Sequence, residues 1–458
     1  ERPHAGPTDS PGRMTQSAPG LDQPDDSMRG SVLICCTAIV AGVIIGFIGG
    51  AFRWCLDAAD RLRIDLVDWA HQLPGPGWLV PMAAAATGAT LAALIVKWIP
   101  LAAGSGIQHV EAVYRGEAKP PSLGLLPAKF VGGVLGIGSG LVLGREGPTV
   151  HMGAAIGAEA ARRVKLPDSE VRMMQTALGG AGLAVAFNAP VGGTLFTLEE
   201  VTRSFRVKTV LATIFAAVTA VACSRFILGN RPDFLVEPIH APALSWLPLF
   251  VIFGLLTGCL GAVYNWLVLW FLDHVGRLLR IPKVAKATII GAIIGLAMFV
   301  YPLAVGGGDT FTQLILGGHR IVLPVIIGYL LVRFIAGPLS YSAGVPGGLF
   351  APLLAVGALW GLLFVGVFNI FWPGDETALA IPIALVGMAA FFGATVRAPV
   401  TGIVLVVEMT ATTSVVVPMM AATAAAVLAA YVVRSPPIYD SLRKRMPAEE
   451  PPNTQEAG

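Results

Sequence analysis

Charge is what this sequence has least of. Of 458 residues, 13% are Asp, Glu, Lys or Arg against 55% hydrophobic, and the mean hydropathy is +0.73. Soluble domains carry about 25% charged residues, so an ordinary water-facing surface cannot be covered. A formal net charge of +3 is too small to argue for nucleic acid. Cysteine is scarce too. Cys35, Cys36, Cys55, Cys223 and Cys259 lie mostly in apolar segments without C-x-x-C spacing, which argues against a disulfide framework or a thiolate metal site. They read as small packing residues. His4, His71, His240, His274 and His319 give no metal spacing, and the chain has no H-E-x-x-H, no paired intramembrane Asp and no Gly-x-Ser-Gly. Neither an enzyme nor a bound cofactor is expected.

What the chain has instead is long apolar runs: Ser31 to Ala51, Trp78 to Val96, Thr209 to Cys223, Trp246 to Leu272, Ala287 to Val305 and Val415 to Val433. About 20 such residues span a bilayer as a helix, so the fold class is an all-α polytopic membrane protein in contact with lipid. Glu1 to Arg29 is polar and has no apolar h-region; residues 1–30 read as a disordered tail rather than a signal peptide. Residues 447–458 read as a second tail, too short for a regulatory domain. Arg443-Lys444-Arg445 just before it suggests a cytoplasmic C-terminus.

The sequence also repeats itself. Lys129-Phe130-Val131-Gly132-Gly133 returns as Arg333-Phe334-Ile335-Ala336-Gly337, an offset of 204. Gly144, Pro148, Gly153 and Gly157 match Gly348, Pro352, Gly357 and Gly361 at the same offset. Ala189-Pro190-Val191-Gly192-Gly193 with Glu199 matches Ala398-Pro399-Val400-Thr401-Gly402 with Glu408 at 209. Ordered blocks at near-constant offset define two related halves, 31–230 and 244–446, joined by an exposed linker at 231–243. Repeated halves of this kind are often inverted, with a midplane site built from discontinuous helices. Several segments (Gly147 to Arg162, Val191 to Val201, Gly347 to Val356, Val400 to Met409) read as too short to cross. Such broken helices persist at membrane depth only where they line a cavity or are buried in protein.

Gly144-Arg145-Glu146-Gly147-Pro148 sets both signs of charge between apolar stretches. An ionisable residue at that depth is a functional candidate by default. The glycines and the proline break the helix and free backbone amides beside the carboxylate. Amides at a helix start form an anion site, so Glu146 stands where a transported anion would compete with it.

Four marked sites now stand in order: Gly104-Ser105-Gly106-Ile107-Gln108, Gly144 to Pro148, Gly347-Gly348-Leu349-Phe350-Ala351-Pro352, and Tyr439 after Pro436-Pro437-Ile438. Together they resemble the CLC family of chloride channels and proton/chloride exchangers, across nearly the whole chain between the tails. The physics agrees: a spherical monovalent anion needs no bidentate arginine, and each helix end offers about half a charge. At about 4 Å and an effective dielectric near 20, that is on the order of 2 kcal/mol per end, enough to bind chloride and still release it.

The resemblance implies hydroxyls from Ser105 and Tyr439 and amides of Leu349 and Phe350 at a central chloride. It places an outer site at the amides after Arg145, Gly147 among them, with Arg145 holding local structure or potential. It makes Glu146 an external gate that swings away once protonated, and Glu200 the internal proton-transfer group found in exchangers. Without it, Glu200 reads as a solvated helix end able to pair with Arg203. The implied function is chloride/proton exchange by a homodimer in the inner (plasma) membrane, both termini cytoplasmic. A passive voltage- or pH-gated chloride channel is the alternative, with a fluoride/proton antiporter behind it. Gln108 departs from the family's usual proline, and His109 follows it. His151, just over one turn beyond Glu146, reads as a buried packing histidine, with tuning of the proton pathway as the alternative. Lys129 and Glu408 read as intramembrane structural partners without an assigned pair.

Overall fold

The computed structural model describes residues 28–372 and 376–446. The tails expected at the two ends lie outside the described residues, except that Met28-Arg29-Gly30 already open the first helix. The first half is built of α1 (Met28–His71), α2 (Leu79–Trp98), α3 (Ile107–Tyr114), α4 (Leu125–Gly138), α5 (Glu146–Arg163), α6 (Asp168–Phe187), α7 (Pro190–Phe196) and α8 (Val207–Leu228). The second contains α9 (Leu247–Arg277), α10 (Lys283–Val300), α11 (Asp309–Leu316), α12 (Leu323–Ser342), α13 (Phe350–Phe371), α14 (Glu376–Val396), α15 (Pro399–Thr410) and α16 (Val416–Val432). The short α17 (Ile438–Arg443) follows. No strand occurs among the described residues, and 8 helices among them are long and apolar enough to cross a membrane.

Five of those 8 follow the apolar runs read from the sequence; α12, α13 and α14 were not read as spans. Gly347 to Val356 in particular is not a short segment, because α13 runs on for 22 residues. Its glycines do not end it. Gly357 and Gly361 instead let α14 approach: a Cβ there would lie 2.3 Å from the Gly387 carbonyl and 2.6 Å from that of Ile383.

Equivalent residues meet across the repeat. Gly144 and Gly348 exchange both backbone hydrogen bonds at 2.8 Å. Gly104 donates to the Val345 carbonyl, and Gly347 to that of Gly104 (3.1 Å each). The reciprocal pairing of Gly144 with its match Gly348 marks a local twofold between the halves, and it brings the starts of α5 and α13 together. The connection at 231–243, mostly exposed, also turns inward: Phe234 is buried and donates to the Met409 carbonyl, and Asp233 is paired with Arg53 at 2.7 Å.

The twofold also explains Glu408. Its carboxylate accepts from the Val191 and Gly192 amides (3.1 and 2.7 Å) at the start of α7. Its counterpart Glu199 accepts from the Val400 and Thr401 amides (3.1 and 2.7 Å) at the start of α15. Each half thus caps a helix of the other. Hydrogen bonds to a charged group contribute about 1.5–3 kcal/mol each. Glu408→Ala and Glu199→Ala are therefore expected to lower the thermal unfolding temperature in detergent, with Glu→Gln intermediate. An unchanged midpoint in both alanine variants would show the caps to be dispensable.

Candidate functional site

Ser105 reaches the centre through a tight turn. Pro100–Ala102 is a 3₁₀ turn, and Gly106, at φ +91°, caps α3 in the left-handed region that glycine tolerates. Lys129 is fully buried and holds this turn from behind, its Nζ donating to the Gly104 and Ser105 carbonyls (2.7 and 3.1 Å). The second half repeats the device: Pro302–Ala304 is a 3₁₀ turn, and Gly308 caps α11 at φ +98°. Arg333 donates to the carbonyls of Ala304, Gly306 and Gly307 (3.1, 3.3 and 2.7 Å). Lys129 therefore pairs with carbonyls of its own half, not with Glu408.

Glu146 opens α5 and is fully buried. Its Oε1 accepts from the Phe350 amide at 2.6 Å, with the Ala351 amide and its own also directed at the carboxylate. Leu349, buried, precedes the first residue of α13. Glu146 thus lies on the N-terminal ends of both α5 and α13, where partial positive charge collects. Its Oε2 has no hydrogen-bond partner among the described residues. Two glycines make the room: a Cβ on Gly144 would lie 2.0 Å from Oε2, and one on Gly348 2.2 Å from Oε1.

Ser105 and Tyr439 come together as the sequence suggests. Both are fully buried, their hydroxyls interact, and neither hydroxyl has a hydrogen-bond partner of normal geometry among the described residues. Ser105 lies against α5, since a Cβ on Gly147 would be 2.6 Å from its Oγ. Tyr439 lies against Phe350 (ring centroids 5.4 Å), which also meets Phe196 and Phe392 edge-on at 5.6 and 4.6 Å. These rings make the surroundings apolar, and a buried hydroxyl there is strongly driven to find an acceptor. Gln108, in contrast, gives its side chain to the Tyr341 hydroxyl.

The guanidinium of Arg145 is spent on protein acceptors: the Ala186 carbonyl (2.8 Å), Asp309 (3.0 Å), Asp233 (3.4 Å) and Asp57 (3.8 Å). A narrow cleft lined by Asp57, Asp60, Arg145, Asp309 and Ala351 adjoins the start of α13. None of these aspartates was legible as a partner, because the pairings join α1, α11 and the connection between halves.

Glu200 is buried on a π-helical turn, Thr197–Val201, that continues α7. Such turns are rare and concentrate at functional sites. Glu200 is not a solvated helix end: Arg203 donates to Asp440 at 3.1 Å, and Glu200 Oε1 has no hydrogen-bond partner among the described residues. Glu111 of α3, itself fully buried, is among the charged groups that act on Glu200. Sequence reasoning missed Glu111. Its signal was a carboxylate four residues after Ile107, on the buried face of an eight-residue helix.

Outside the spans, α17 is tied down by charge. Arg443 reaches Glu117 (2.5 Å) and Glu111 (3.8 Å). Burial works against the charge on Asp440, but hydrogen-bonded Arg203, with Arg115 and Arg443, outweighs it and holds that carboxyl below its usual range. These pairs fix the helix that carries Tyr439.

Residues 87–431 match the family model described as voltage gated chloride channel. The chain is 34% identical over 421 residues to the H(+)/Cl(-) exchange transporter ClcA of Vibrio cholerae, covering 89% of this chain and 88% of that one. It is 35% identical over 433 residues to the Citrobacter koseri protein of the same name, covering 91% and 89%. Its fold superposes on a slow cyanobacterial Cl-/H+ antiporter with a TM-score of 0.83 at 30% identity, over 90% of this chain and 97% of that one. A CLC-type fluoride/proton antiporter aligns at a TM-score of 0.73 and 22% identity, over 90% and 98%, which speaks to fold alone.

Proposed function

The chain belongs to the voltage-gated chloride channel (CLC) family, whose members are transporters rather than enzymes, and from that premise we propose that it exchanges chloride for protons across a membrane. The observation that carries the reading is the Glu146 carboxylate held by the Phe350 amide at 2.6 Å, beside two buried hydroxyls. Ionised, the carboxylate occupies a place built for an anion and blocks it. Chloride competes for the same amides, and a proton on Glu146 removes its claim on them. The neutral side chain leaves, and chloride passes between Ser105, Tyr439 and the starts of α5 and α13. Arg145 holds the outer end in place through its aspartates.

Glu200, with Glu111 beside it, takes up or releases the proton on the inner side. This buried carboxylate favours exchange over a passive channel, because a channel has no use for a second, desolvated proton acceptor. Fluoride transport has only the distant fold likeness behind it. The protein acts as a homodimer in the bacterial inner membrane with cytoplasmic termini, chloride and protons being its substrates. A chloride gradient across reconstituted liposomes is expected to drive protons uphill; chloride movement without protons would sink the exchange reading.

Gly348 supplies a sharper test of the gate. A Cβ there would lie 2.2 Å from Glu146 Oε1 and 2.9 Å from both its Cδ and the Gly147 amide nitrogen, so Gly348→Ala forces the carboxylate off the Phe350 amide and crowds the start of α5. Losing one charge-assisted hydrogen bond, worth about 1.5–3 kcal/mol, is expected to reduce protons moved per chloride roughly tenfold or more. Wild-type coupling in Gly348→Ala would mean that the carboxylate does not work from this position.

A further inference from the structure

Two histidines have no part in the exchange reading. His151 of α5 and His109 of α3 are both buried, and His151 Nε2 lies 3.0 Å from His109 Nδ1 with the rings tilted by 54°. One nitrogen carries the proton and the other offers the lone pair. The hydrogen bond joins the two helices whose starts bear Ser105 and Glu146. His151 also fills the space under the turn before α3, since a Cβ on Gly106 would lie 2.2 Å from its Nδ1. On the far side of that turn is the Lys129 ammonium, bonded to the Gly104 and Ser105 carbonyls. A second charge in this dry space beside an ammonium is costly, so the pair works as a neutral hydrogen bond rather than a proton store.

The other half of the molecule lacks the pair. His151 matches Ala355 at the repeat offset of 204, and Ser105 matches Gly307 at 202. Under Gly308, the counterpart of Gly106, the space is taken by the Arg333 guanidinium and Ala355, with a Cβ there 2.4 and 2.8 Å away. The histidine bridge thus accompanies the half that presents a hydroxyl to the anion. Clearance there is fine: a Cβ on Gly147 would fall 2.6 Å from Ser105 Oγ and 2.8 Å from Ser105 Cα. Ser105 is thus packed directly on the Gly147 backbone, and any sliding of α3 against α5 moves its hydroxyl relative to the start of α5.

We infer that the His109–His151 hydrogen bond is a strut that fixes the Ser105 hydroxyl against the start of α5, and with it the preference among anions. The inference deepens the anion-transport reading above and rests on it. Both histidines are positioning residues, acting on Ser105 through α3 and α5.

The test is chloride and nitrate uptake into liposomes, measured side by side for the unsubstituted site, His109→Ala, His151→Ala and His151→Gln. All four are made in the Glu146→Gln background, so that anion flux is read without its dependence on protons. The nitrate-to-chloride flux ratio is expected to rise roughly three- to tenfold in both alanine variants, the effect of losing one neutral hydrogen bond. His151→Gln, whose amide nitrogen takes the place of Nε2, is expected to restore the original ratio. Unchanged ratios in the alanine variants, or a glutamine variant as altered as His151→Ala, would overturn the strut. If His151→Ala does not fold, His109→Ala and His151→Gln decide the matter. With Glu146 in place, loss of proton coupling on His109→Ala with an unchanged anion ratio would make the pair a proton relay and also overturn it. Chloride flux without protons in the unsubstituted protein would count against exchange and leave these ratios to decide the strut.

Discussion

Glu146→Gln is expected to keep anion flux while proton movement falls to the background of empty liposomes. Glutamine keeps the shape and an oxygen for the Phe350 amide, which now holds the carboxylate at 2.6 Å, but it has no charge and cannot take up a proton. Two consequences separate the gate from a structural role. Chloride then meets no anionic competitor at the starts of α5 and α13, so its binding in detergent is expected to tighten. Each helix end that ionised Glu146 now engages is worth on the order of 2 kcal/mol to an anion. Anion flux is also expected to lose its dependence on external pH, because the titrating group at the mouth is gone. Flux itself should stay within roughly tenfold of the unsubstituted protein, about 1.4 kcal/mol in barrier. Uphill proton transport by Glu146→Gln, measured with a pH electrode under a chloride gradient, would remove Glu146 from the proton path altogether.

The same carboxylate shows how far the sequence could be read. Its depth was legible because charge is rare here and apolar residues flank it; the amides were legible because Gly and Pro break helices wherever they occur. What holds the carboxylate was half legible. Adding the repeat offset of 204 to Glu146 gives Phe350, the residue whose amide binds it. The matching position thus accepts the charge instead of duplicating it, and a local twofold brings the two together. Offsets alone could not say that matched residues touch. For the same reason Lys129 and Arg333 were visible as a matched pair but not as clamps on their own turns. Glu199 and Glu408 were visible as a match but not as caps exchanged between halves.

The misses have a common cause as well. Apolar run length gave the isolated apolar helices and lost α12, α13 and α14, where glycines, prolines and polar residues interrupt the run. Gly357, Gly361 and Gly387 do not end their helices but let the α13 and α14 backbones approach each other. Asp57, Asp233 and Asp309 around Arg145 belong to three distant stretches, and no spacing rule links them. Glu111 was passed over because a single carboxylate in a short helix is usually solvated; only its complete burial reveals it.

Glu200→Gln is expected to cut proton transport at least roughly a hundredfold, the low end of what a positioned proton-transfer group contributes, while chloride still moves. Glu200 is not at the anion centre. It sits on the π-helical turn after α7, and its charged neighbours are Glu111, Arg203, Asp440 and Glu199 rather than any helix start of the anion cradle. Its removal therefore leaves Ser105, Tyr439 and the Phe350 amide as they are, and a protonated Glu146 can still be supplied from outside. Chloride then leaks down its gradient without drawing protons with it. Glu111→Gln separates the two inner carboxylates. It removes the second buried carboxylate and keeps Glu200 itself, so proton transport is expected to persist. A Glu200→Gln protein that still pumps protons, with Glu111→Gln unable to, would reverse the two roles and make Glu111 the inner transfer group. Proton flux in liposomes at several internal pH values decides between them.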